Sequence, residues 1–436
     1  MVGKCRPYLF YRWRLGVAKM ARNSYICIYI YRLIRMKRML LLMLVGAMLS
    51  VATSAKPLTG TLVRTSTADP CLIYQDGCFY LTMTGRSALA MIKDSSLASL
   101  STKHHPTSEN IFYRSKLDPT VTEIFGEDAE INGTWSPEIH YFSEEEFPGQ
   151  SGWYLYFALR KRVVEKGKTS SRAIKTVVMK SLSGRVEGPY GHPITGAEQH
   201  SQPLLDENGV LVGDWCVGAS ILRVPTGQYR GVYLTWVEEV GRGEGLGKFY
   251  QKIMISRISS PWQLKGESGV VTTPTQRWEF KGSSKTHPRV VEGGTAVYGD
   301  HGEIYLTYSG SGYWSDYGLG QLTLRRKGGD YADPLVTASW VKYAKNPIFT
   351  AVGSENLRGA GHATFLKDER GKRFFCYHAY PFVDGKKVRM RNAYIEPYTI
   401  NYSAVSPSSP EGVLQMGKMK NGICAPTDTR IKFKHR

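Results

Sequence analysis

One unit recurs five times along the chain: two apolar runs of strand length joined by a polar turn that contains Gly. The copies begin at Cys71, Ile139, Ile221, Thr295 and Ala363, so successive copies start 68, 82, 74 and 68 residues apart. Alternating β-branched and aromatic residues around such a turn are typical of a β-hairpin. A hairpin unit cannot bury its own apolar face and must stack on its neighbours. Five such units arranged radially predict an all-β fold, a five-bladed β-propeller whose opening strands line a central axis.

The composition is compatible with such a fold. The chain has 436 residues, of which 42% are hydrophobic and 22% charged, as in ordinary globular proteins, and amphipathic helical periodicity is scarce. A two-sheet β-sandwich is the rival interpretation, although sandwiches rarely repeat over so long a period.

The N-terminal region has the pattern of an export signal. Residues 36–55 combine Lys37 and Arg38, an apolar run, and small residues at cleavage spacing. The apolar run is short for a membrane span, although an N-terminal anchor is the alternative. We therefore predict an upstream extension at 1–35, a signal peptide at 36–55, and one propeller at 56–436 with a short C-terminal tail. A secreted or periplasmic protein without stable membrane insertion is expected.

Other classes of site find little support in the sequence. Five of the seven Cys follow the predicted cleavage point, and none forms a C-x-x-C pair, so no zinc or disulfide framework is predicted. The formal net charge is +20, but ten of the basic residues lie in residues 1–55, which contain no acid. Because the other basic residues are scattered, we expect no nucleic-acid partner.

The residues just before each opening strand predict a ring around one mouth of the axis. Its five members are Asp69, Glu138, Gly218, Glu292 and His362, and all except Gly218 are ionisable. Carboxylates that converge among aromatic side chains are what glycoside hydrolysis requires, with one acid for the leaving oxygen and one base or nucleophile. Confinement in one pocket separates their pKa values, so that similar side chains take different roles.

The motifs around these residues resemble glycoside hydrolase family 43, and in particular its exo-acting α-L-arabinofuranosidase and β-xylosidase-like members. They are Ala-Asp-Pro at 68–70, Trp-Ser-Pro-Glu-Ile-His-Tyr-Phe at 135–142, and Glu-Gly at 292–293 before a strand ending Tyr-Leu-Thr-Tyr-Ser. The resemblance covers roughly Thr67 to Tyr398. It implies a five-bladed propeller that hydrolyses arabinose- or xylose-containing glycans with inversion, acting on an oligo- or polysaccharide.

The resemblance also implies roles for individual residues. Asp69 matches the general base and Glu292 the general acid, while His362 matches a histidine that helps to hold calcium near the axis in several members. No cofactor is required by this match, and a structural calcium ion near the propeller axis is compatible with it. We predict substrate-binding positions at Trp135, Glu138, Trp215, Tyr308, Trp314 and Arg391.

One position departs from the family pattern. Gly218 stands where the family has a third carboxylate that tunes the pKa of the acid. Asp214, four residues earlier, is a candidate replacement, whereas Glu238 and Glu239 lie beyond the next turn and are less plausible. A carbohydrate-binding propeller with weak or no turnover is therefore the alternative function. A retaining fructan-type enzyme on a related propeller is a third, but the start typical of those enzymes is absent.

Overall fold

A computed structural model of the chain describes residues 61–102, 110–165, 168–170, 173–245, 247–314, 316–354, 356–383, 386–420 and 423–425. These residues form mostly antiparallel strands, grouped into five large sheets that follow one another along the chain and two small two-stranded sheets. The predicted extension and signal peptide lie outside the described residues. Among those that are described, no helix is both long and apolar enough to cross a membrane.

Each sheet is one blade, and in blades 1 to 4 the strand that comes first in the chain is the innermost. Blade 1 consists of Cys71–Gln75, Cys78–Thr82, Ala88–Asp94 and Ile111–Arg114. Blade 2 consists of Ile131–Phe142, Gly152–Lys161 and Ile174–Ser181, with Tyr190–Gly191 and Gln202–Pro203 on its outer edge. Blade 3 consists of Val217–Val224, Gly231–Val240, Tyr250–Ser260 and Gln263–Thr272. Blade 4 consists of Val291–Tyr298, Ile304–Gly310, Gly318–Leu324, Trp340–Lys342 and Phe349–Thr350.

Blade 5 closes the ring with strands from both ends of the described chain. Leu357–Lys367, Arg373–Val383 and Asn392–Asn401 form its inner three strands, and Thr61–Arg64 pairs with the third, placing Thr61 opposite Ile395. The strand that precedes blade 1 in the chain thus belongs to blade 5, and this pairing closes the ring. The five-bladed propeller predicted from the repeat is confirmed, and the sandwich interpretation is wrong.

The described C-terminal residues add further short strands. Val413–Met416 pairs with Asn392–Asn401, and the short strands Lys418–Lys420 and Ile423–Ala425 pair with each other. Short hairpins are formed by Val163–Glu165 with Lys168–Ser170 and by Arg326–Lys327 with Asp330–Tyr331, and Lys386–Lys387 extends Arg373–Val383.

In the described part of the chain, helices are few and lie in the connections. They are the α-helices Leu97–Thr102 and Pro119–Phe125 and the 3₁₀ turns Ser115–Leu117, Arg277–Phe280 and Thr337–Ser339. The second α-helix begins where the sequence dictates, because Asp118 accepts a hydrogen bond from the Thr120 N–H and Pro119 occupies the first turn.

Apolar side chains between adjacent blades form the core. Middle strands are buried on both faces, as in Ile304–Gly310, where every residue is buried. Residues from all five innermost strands enclose an axial cavity of about 300 Å³. Three of the cysteines, Cys71, Cys216 and Cys376, are buried, and all three carry free thiols, which fits the small core residues expected from the sequence.

Candidate active site

A left-handed backbone conformation recurs once in each blade at one end of the axis. It occurs at Asp69, Ser136, Gly218, Gly293 and His362, with φ between 48° and 65°. In blades 2 to 5 the pairing between the two inner strands shifts register at this residue, as between Trp135 and Glu138, so that the innermost strand carries one extra residue. An inserted residue of this kind bends the strand and redirects its side chains. All five residues line one pocket of about 150 Å³.

The observed ring differs from the predicted one in blades 2 and 4. Ser136 takes the place assigned to Glu138, and Gly293 the place assigned to Glu292. Glu292 reaches the pocket because it occupies the preceding position, as Trp135 and Val217 do in their blades. The sequence comparison missed this offset because an inserted residue changes the alternation of side chains along the strand.

Glu138 does not line this pocket, contrary to its assignment as a substrate-binding residue. It lies two positions beyond the left-handed residue, and the equivalent positions all line the axial cavity: Cys71, Glu138, Ser220, Thr295 and Thr364. Its carboxylate lies 2.8 Å from Nε2 of His140, and its side chain is 7% exposed. Glu138 therefore belongs to the channel behind the pocket.

Asp69 is held by side chains from two blades. Arg391 donates to its Oδ1 atom at 3.1 Å, and Thr84 donates to Oδ2 at 2.6 Å. The backbone N–H of Asp69 donates to Nδ1 of His378 at 3.1 Å. Burial raises the pKa of Asp69, but the charge of Arg391, together with contributions from His362 and His378, outweighs burial and holds that pKa well below its usual range. The carboxylate is thus ionised at neutral pH.

The imidazole of His378 stays neutral beside this carboxylate. It is fully buried, and burial, followed by the charge of Arg391, lowers its pKa to about 3. Its Nδ1 lies 3.1 Å from the backbone nitrogen of Asp69 and 3.3 Å from Oδ1 of the same residue, and its Nε2 lies 3.4 Å from Nη1 of Arg391. His378 therefore contacts both the backbone and the carboxylate of Asp69.

Glu292 is in the opposite electrostatic situation. Burial raises the pKa of its carboxyl group, and the negative charge of Asp69 adds to this. A hydrogen bond from Tyr317 at 2.8 Å and the charge of His362 lower the pKa in part, as does the side-chain amide of Gln251. The net shift is upward, so Glu292 keeps its proton to higher pH than a solvated glutamate does.

Aromatic rings and cations form the walls of the pocket. Trp135, Trp215 and Tyr313 line it, and a guanidinium lies over each ring, with Arg160, Arg242 and Arg391 at 4.8, 4.5 and 4.8 Å from the respective ring centres. Two buried polar atoms in this wall, Nε1 of Trp215 and Oε1 of Gln251, have no protein partner among the described residues. A donor and an acceptor are thus left for a polar ligand.

Two aromatic residues predicted to bind substrate lie elsewhere. Tyr308 has no solvent exposure and packs in the core, where its hydroxyl donates to Oε1 of Glu279 at 2.6 Å. Trp314 is not among the residues that line the pocket; it packs edge-on against Tyr313, and its Nε1 donates to the Gly282 carbonyl at 3.2 Å. Trp314 therefore supports the rim through Tyr313. Of the six predicted substrate-binding residues, Trp135, Trp215 and Arg391 line the pocket.

The surroundings of His362 do not fit a calcium ion held by protein ligands. Nδ1 of His362 lies 3.7 Å from Oδ1 of Asp69, which Arg391 already contacts. Calcium prefers six to eight oxygen ligands. Within the described part of the chain, no three His, Cys, Asp or Glu side chains cluster as metal ligands would. No step of the chemistry below uses a metal.

The place of the missing third carboxylate is open. A Cβ atom added to Gly218 would meet nothing closer than the Gly293 nitrogen at 3.9 Å. Asp214, the replacement suggested by its position, is fully exposed and faces Lys175 at 3.5 Å, so it does not reach the pocket.

Several residues of the site were not assigned roles from the sequence. Thr84 and Gln251 line the pocket, and His378 fixes Asp69 from behind it. The Tyr-His-Ala-Tyr motif at 377–380 is a signal for His378, whereas Thr84, just after the second strand of blade 1, and Gln251, on the third strand of blade 3, lie in no motif.

The chain is similar to proteins of one known family. The model of the Glycosyl hydrolases family 43 matches residues 59–403. Alpha-L-arabinofuranosidase B of Pyricularia oryzae is 26% identical over 341 residues, which cover 77% of this chain and 59% of that protein. The extracellular exo-alpha-(1->5)-L-arabinofuranosidase of Streptomyces avermitilis is 28% identical over 247 residues, covering 56% of this chain and 42% of that protein. The chain thus spans about half the length of the curated relatives it matches.

Solved structures share the fold. The alpha-L-arabinofuranosidase from Lactobacillus brevis superposes with a TM-score of 0.59 at 20% identity, covering 83% of this chain and 97% of that one. A thermostable family-43 glycoside hydrolase gives a TM-score of 0.55 at 17% identity, covering 86% and 99%. Because the family model spans most of the chain and the fold agrees, the protein belongs to glycoside hydrolase family 43.

Proposed function

We propose that the protein is an exported, inverting exo-glycoside hydrolase that removes a terminal pentose, arabinofuranose or xylose, from an oligo- or polysaccharide. The observation that carries this proposal is the pairing of Asp69 and Glu292 in one pocket, with pKa values displaced in opposite directions. One ionised and one protonated carboxyl group are the two partners that inversion requires.

In the proposed reaction, Asp69 accepts a proton from a water molecule whose oxygen attacks the anomeric carbon. Glu292 gives its proton to the glycosidic oxygen as the bond from that oxygen to the anomeric carbon breaks. The products are a free sugar of inverted configuration and the shortened glycan bearing a new hydroxyl group. Inversion requires the carboxyl groups to stand roughly 6.5 to 9.5 Å apart, which leaves room for the water.

The size of the pocket supports removal of one terminal residue. Its volume of about 150 Å³ is small compared with the roughly 300 Å³ or more of a typical drug-sized site. The rings of Trp135 and Trp215 offer apolar faces for a sugar, and the unpartnered atoms of Trp215 and Gln251 offer hydrogen bonds to its hydroxyl groups. The names of the relatives support arabinofuranose as the first sugar to test.

Export forms part of the proposal, with a mature enzyme of residues 56–436. The basic and apolar pattern of residues 36–55 supports it, and the Streptomyces relative is named as extracellular. Expression in a bacterial host followed by mass spectrometry of the exported fraction tests it, with Lys56 expected at the N-terminus. Retention of residues 36–55 in a membrane fraction would favour the anchor instead.

A carbohydrate-binding propeller without turnover is the second candidate, and the open place at Gly218 favours it. Both candidates are tested by incubating the mature protein with a panel of aryl pentosides and following product anomers by NMR. Inverted product from the parent, with loss of rate in Asp69→Asn and Glu292→Gln, supports the hydrolase. Binding of oligosaccharide with no product after long incubation supports the second candidate.

A further inference from the structure

Two segments of the chain that lie beside the pocket are rich in basic residues. Residues 281–289, just before blade 4, read Lys-Gly-Ser-Ser-Lys-Thr-His-Pro-Arg, and residues 386–391 of blade 5 read Lys-Lys-Val-Arg-Met-Arg. Together the two segments contain seven Lys and Arg residues and no acid. They lie about 100 residues apart in the sequence, so their positive charges add up only if the fold brings them together.

Trp314 holds both segments at the edge of the pocket. Its Nε1 donates to the carbonyl of Gly282, and its ring lies 4.7 Å from the ring of His287. From the other side, Nζ of Lys387 donates to the carbonyl of Trp314 at 3.1 Å. The neighbouring residue, Tyr313, lines the pocket and is 38% exposed. The two basic segments therefore flank the mouth of the pocket between blades 4 and 5.

Much of the positive charge at this mouth is not neutralised by nearby acids. Four exposed cations make no ion pair with a described residue, and we call them the basic rim: Lys281, Lys285, Lys386 and Arg389. Exposed arginines elsewhere on the surface are paired, as Arg162 is with Glu130 and Arg230 with Glu145. Asp316 is exposed close to Trp314 in the sequence, but it pairs with none of the four. Positive charge of this kind attracts anions to a cleft.

The position of the basic rim says which part of a substrate it would meet. A pocket of about 150 Å³ holds one sugar, so the rest of the glycan has to leave through the mouth. There it would pass the exposed ring of Tyr313, on which a sugar can stack, and the four cations. Hydrogen bonds from Lys and Arg are strongest when the acceptor is an anion such as a carboxylate. A neutral glycan would leave these cations without such a partner.

From this geometry we propose that the substrate is an acidic glycan, in which the chain that carries the terminal sugar bears uronic acid carboxylates that contact the basic rim. This inference rests on the proposed function, since it names the class of glycan that the same site receives. The pocket recognises the sugar that is released, and the rim recognises the charge of the chain that remains.

The first test compares two substrates that differ only in charge. One is an arabinofuranose-bearing oligosaccharide with one uronic acid unit, and the other is the same oligosaccharide after reduction of its carboxyl group to a neutral hydroxymethyl group. At low ionic strength we expect kcat/KM to be at least about fivefold higher on the acidic substrate. Equal values on the two substrates overturn the proposal. If neither substrate is hydrolysed, the proposed function fails, and the binding measurement described below decides the role of the rim.

Salt should reduce this preference. Raising the salt from about 0.01 M to about 0.15 M shortens the range of charge interactions from about 30 Å to about 8 Å. The preference for the acidic substrate should then fall to about half or less, while kcat/KM on the neutral substrate stays within twofold. A preference that salt does not change would mean that the carboxyl group is recognised by its shape and not by its charge, and this contradicts the role of the rim.

Rim variants locate the effect on the molecule. The double variants Lys281→Gln with Lys285→Gln and Lys386→Gln with Arg389→Gln remove two charges each from side chains that make no hydrogen bond to a described residue. Each exposed ion pair contributes a factor of about 1.4 to 5, so each double variant should lose about three- to tenfold in kcat/KM on the acidic substrate. The loss on the neutral substrate should stay below twofold. Variants that keep the parental preference overturn the proposal.

The matched control removes two charges at the other end of the blades. Lys265 lies near the start of the last strand of blade 3, and Lys327 follows the third strand of blade 4, so both stand away from the pocket. Both are exposed, like the cations of the rim. Lys265→Gln with Lys327→Gln should keep the parental preference for the acidic substrate. An equal loss in this control would show that net charge alone is responsible, and would also overturn the proposal.

A binding measurement tests the rim without turnover. Calorimetry of the parent with tetragalacturonate and with its methyl ester compares a charged and a neutral form of one glycan. Tighter binding of the free acid, weakened at least about threefold in the rim variants, supports the proposal even if the parent hydrolyses nothing. Equal binding of acid and ester contradicts it even in an active enzyme.

Two further ligands identify the anion. Sulfated xylotetraose bound more tightly than tetragalacturonate would assign the rim to sulfate esters and overturn the choice of uronic acids. Rim variants that lose binding of duplex DNA but keep that of tetragalacturonate would assign the rim to nucleic acid, which also overturns the proposal.

Discussion

Arg391 donates from Nη1 to Oδ1 of Asp69 at 3.1 Å, joining a residue before the last inner strand of blade 5 to the residue that opens blade 1. The side chains of both are mostly buried, with 18% and 13% exposure. The ring closure that completes the fold therefore also sets the charge state of the proposed base.

Replacing Arg391 should move the acid limb of the pH profile. Since the Arg391 charge lowers the pKa of Asp69, Arg391→Gln raises it, and the base becomes protonated at higher pH. The acid midpoint of kcat/KM is expected to rise by about 1 to 3 units, with the alkaline midpoint moving less. Arg391→Lys, which keeps the charge, is the control and should shift the acid midpoint by less than half as much. An acid midpoint that stays fixed in Arg391→Gln would show that another group titrates there.

Removing the proton donor should make the rate depend on the leaving group. Glu292→Gln cannot protonate the glycosidic oxygen, so substrates with poor leaving groups should lose about 10²- to 10⁴-fold in kcat. A dinitrophenyl arabinofuranoside leaves without protonation and should lose less than about tenfold, because general acid assistance contributes little there. Steady-state rates on a series of aryl glycosides measure this dependence. Equal losses across the series would assign the donor role to another residue.

The repeat predicted the fold because each copy contains the inner hairpin of a blade, and such hairpins are visible as apolar alternation around a Gly-containing turn. The position of single side chains within a blade was less accessible. Ser136 and Gly293 stand in the left-handed ring where Glu138 and Glu292 were expected, since the inserted residue that bends each strand has no fixed sequence signature.

Partners from different blades were harder still to predict. The contact between Asp69 and His378 joins positions 309 residues apart, in blades 1 and 5. Asp214 was preferred to Glu239 as a replacement for the missing carboxylate because it lies closer to Gly218 along the chain, but Asp214 is fully exposed and faces Lys175 at 3.5 Å.

Tyr308→Phe distinguishes a core residue from the substrate-binding residue that the sequence suggested. The Tyr308 hydroxyl donates to Glu279, which is fully buried and also paired with Lys342 at 2.7 Å. Loss of this donor should lower the free energy of unfolding by about 1 to 3 kcal/mol, with kcat and KM unchanged within twofold. Denaturant unfolding and steady-state kinetics are the two measurements. A several-fold rise in KM with unchanged stability would restore the predicted role.

Tyr317→Phe removes a hydrogen-bond donor from the proposed acid, Glu292. The Tyr317 hydroxyl lowers the pKa of Glu292 by donating to it, so its removal raises that pKa further. The alkaline midpoint of kcat/KM should therefore move upward. A fall of the midpoint in Tyr317→Phe would mean that this hydroxyl favours the protonated donor.

Trp215→Phe tests whether the unpartnered indole nitrogen binds the sugar. Its Nε1 is buried, faces no protein acceptor among the described residues, and belongs to a side chain that lines the pocket. A hydrogen bond to a substrate hydroxyl contributes about 1 kcal/mol, so kcat/KM should fall roughly five- to tenfold. The free energy of unfolding should change by less than about 1 kcal/mol, because the loss of ring area and the removal of an unsatisfied donor act in opposite directions.

Trp236→Phe is the control with the reverse signature: its Nε1 donates to Glu238 at 3.0 Å outside the pocket, so stability should fall while kcat/KM is retained. If Trp215→Phe keeps the parental kcat/KM, the indole N–H does not contact the substrate, and recognition at this wall rests on ring stacking.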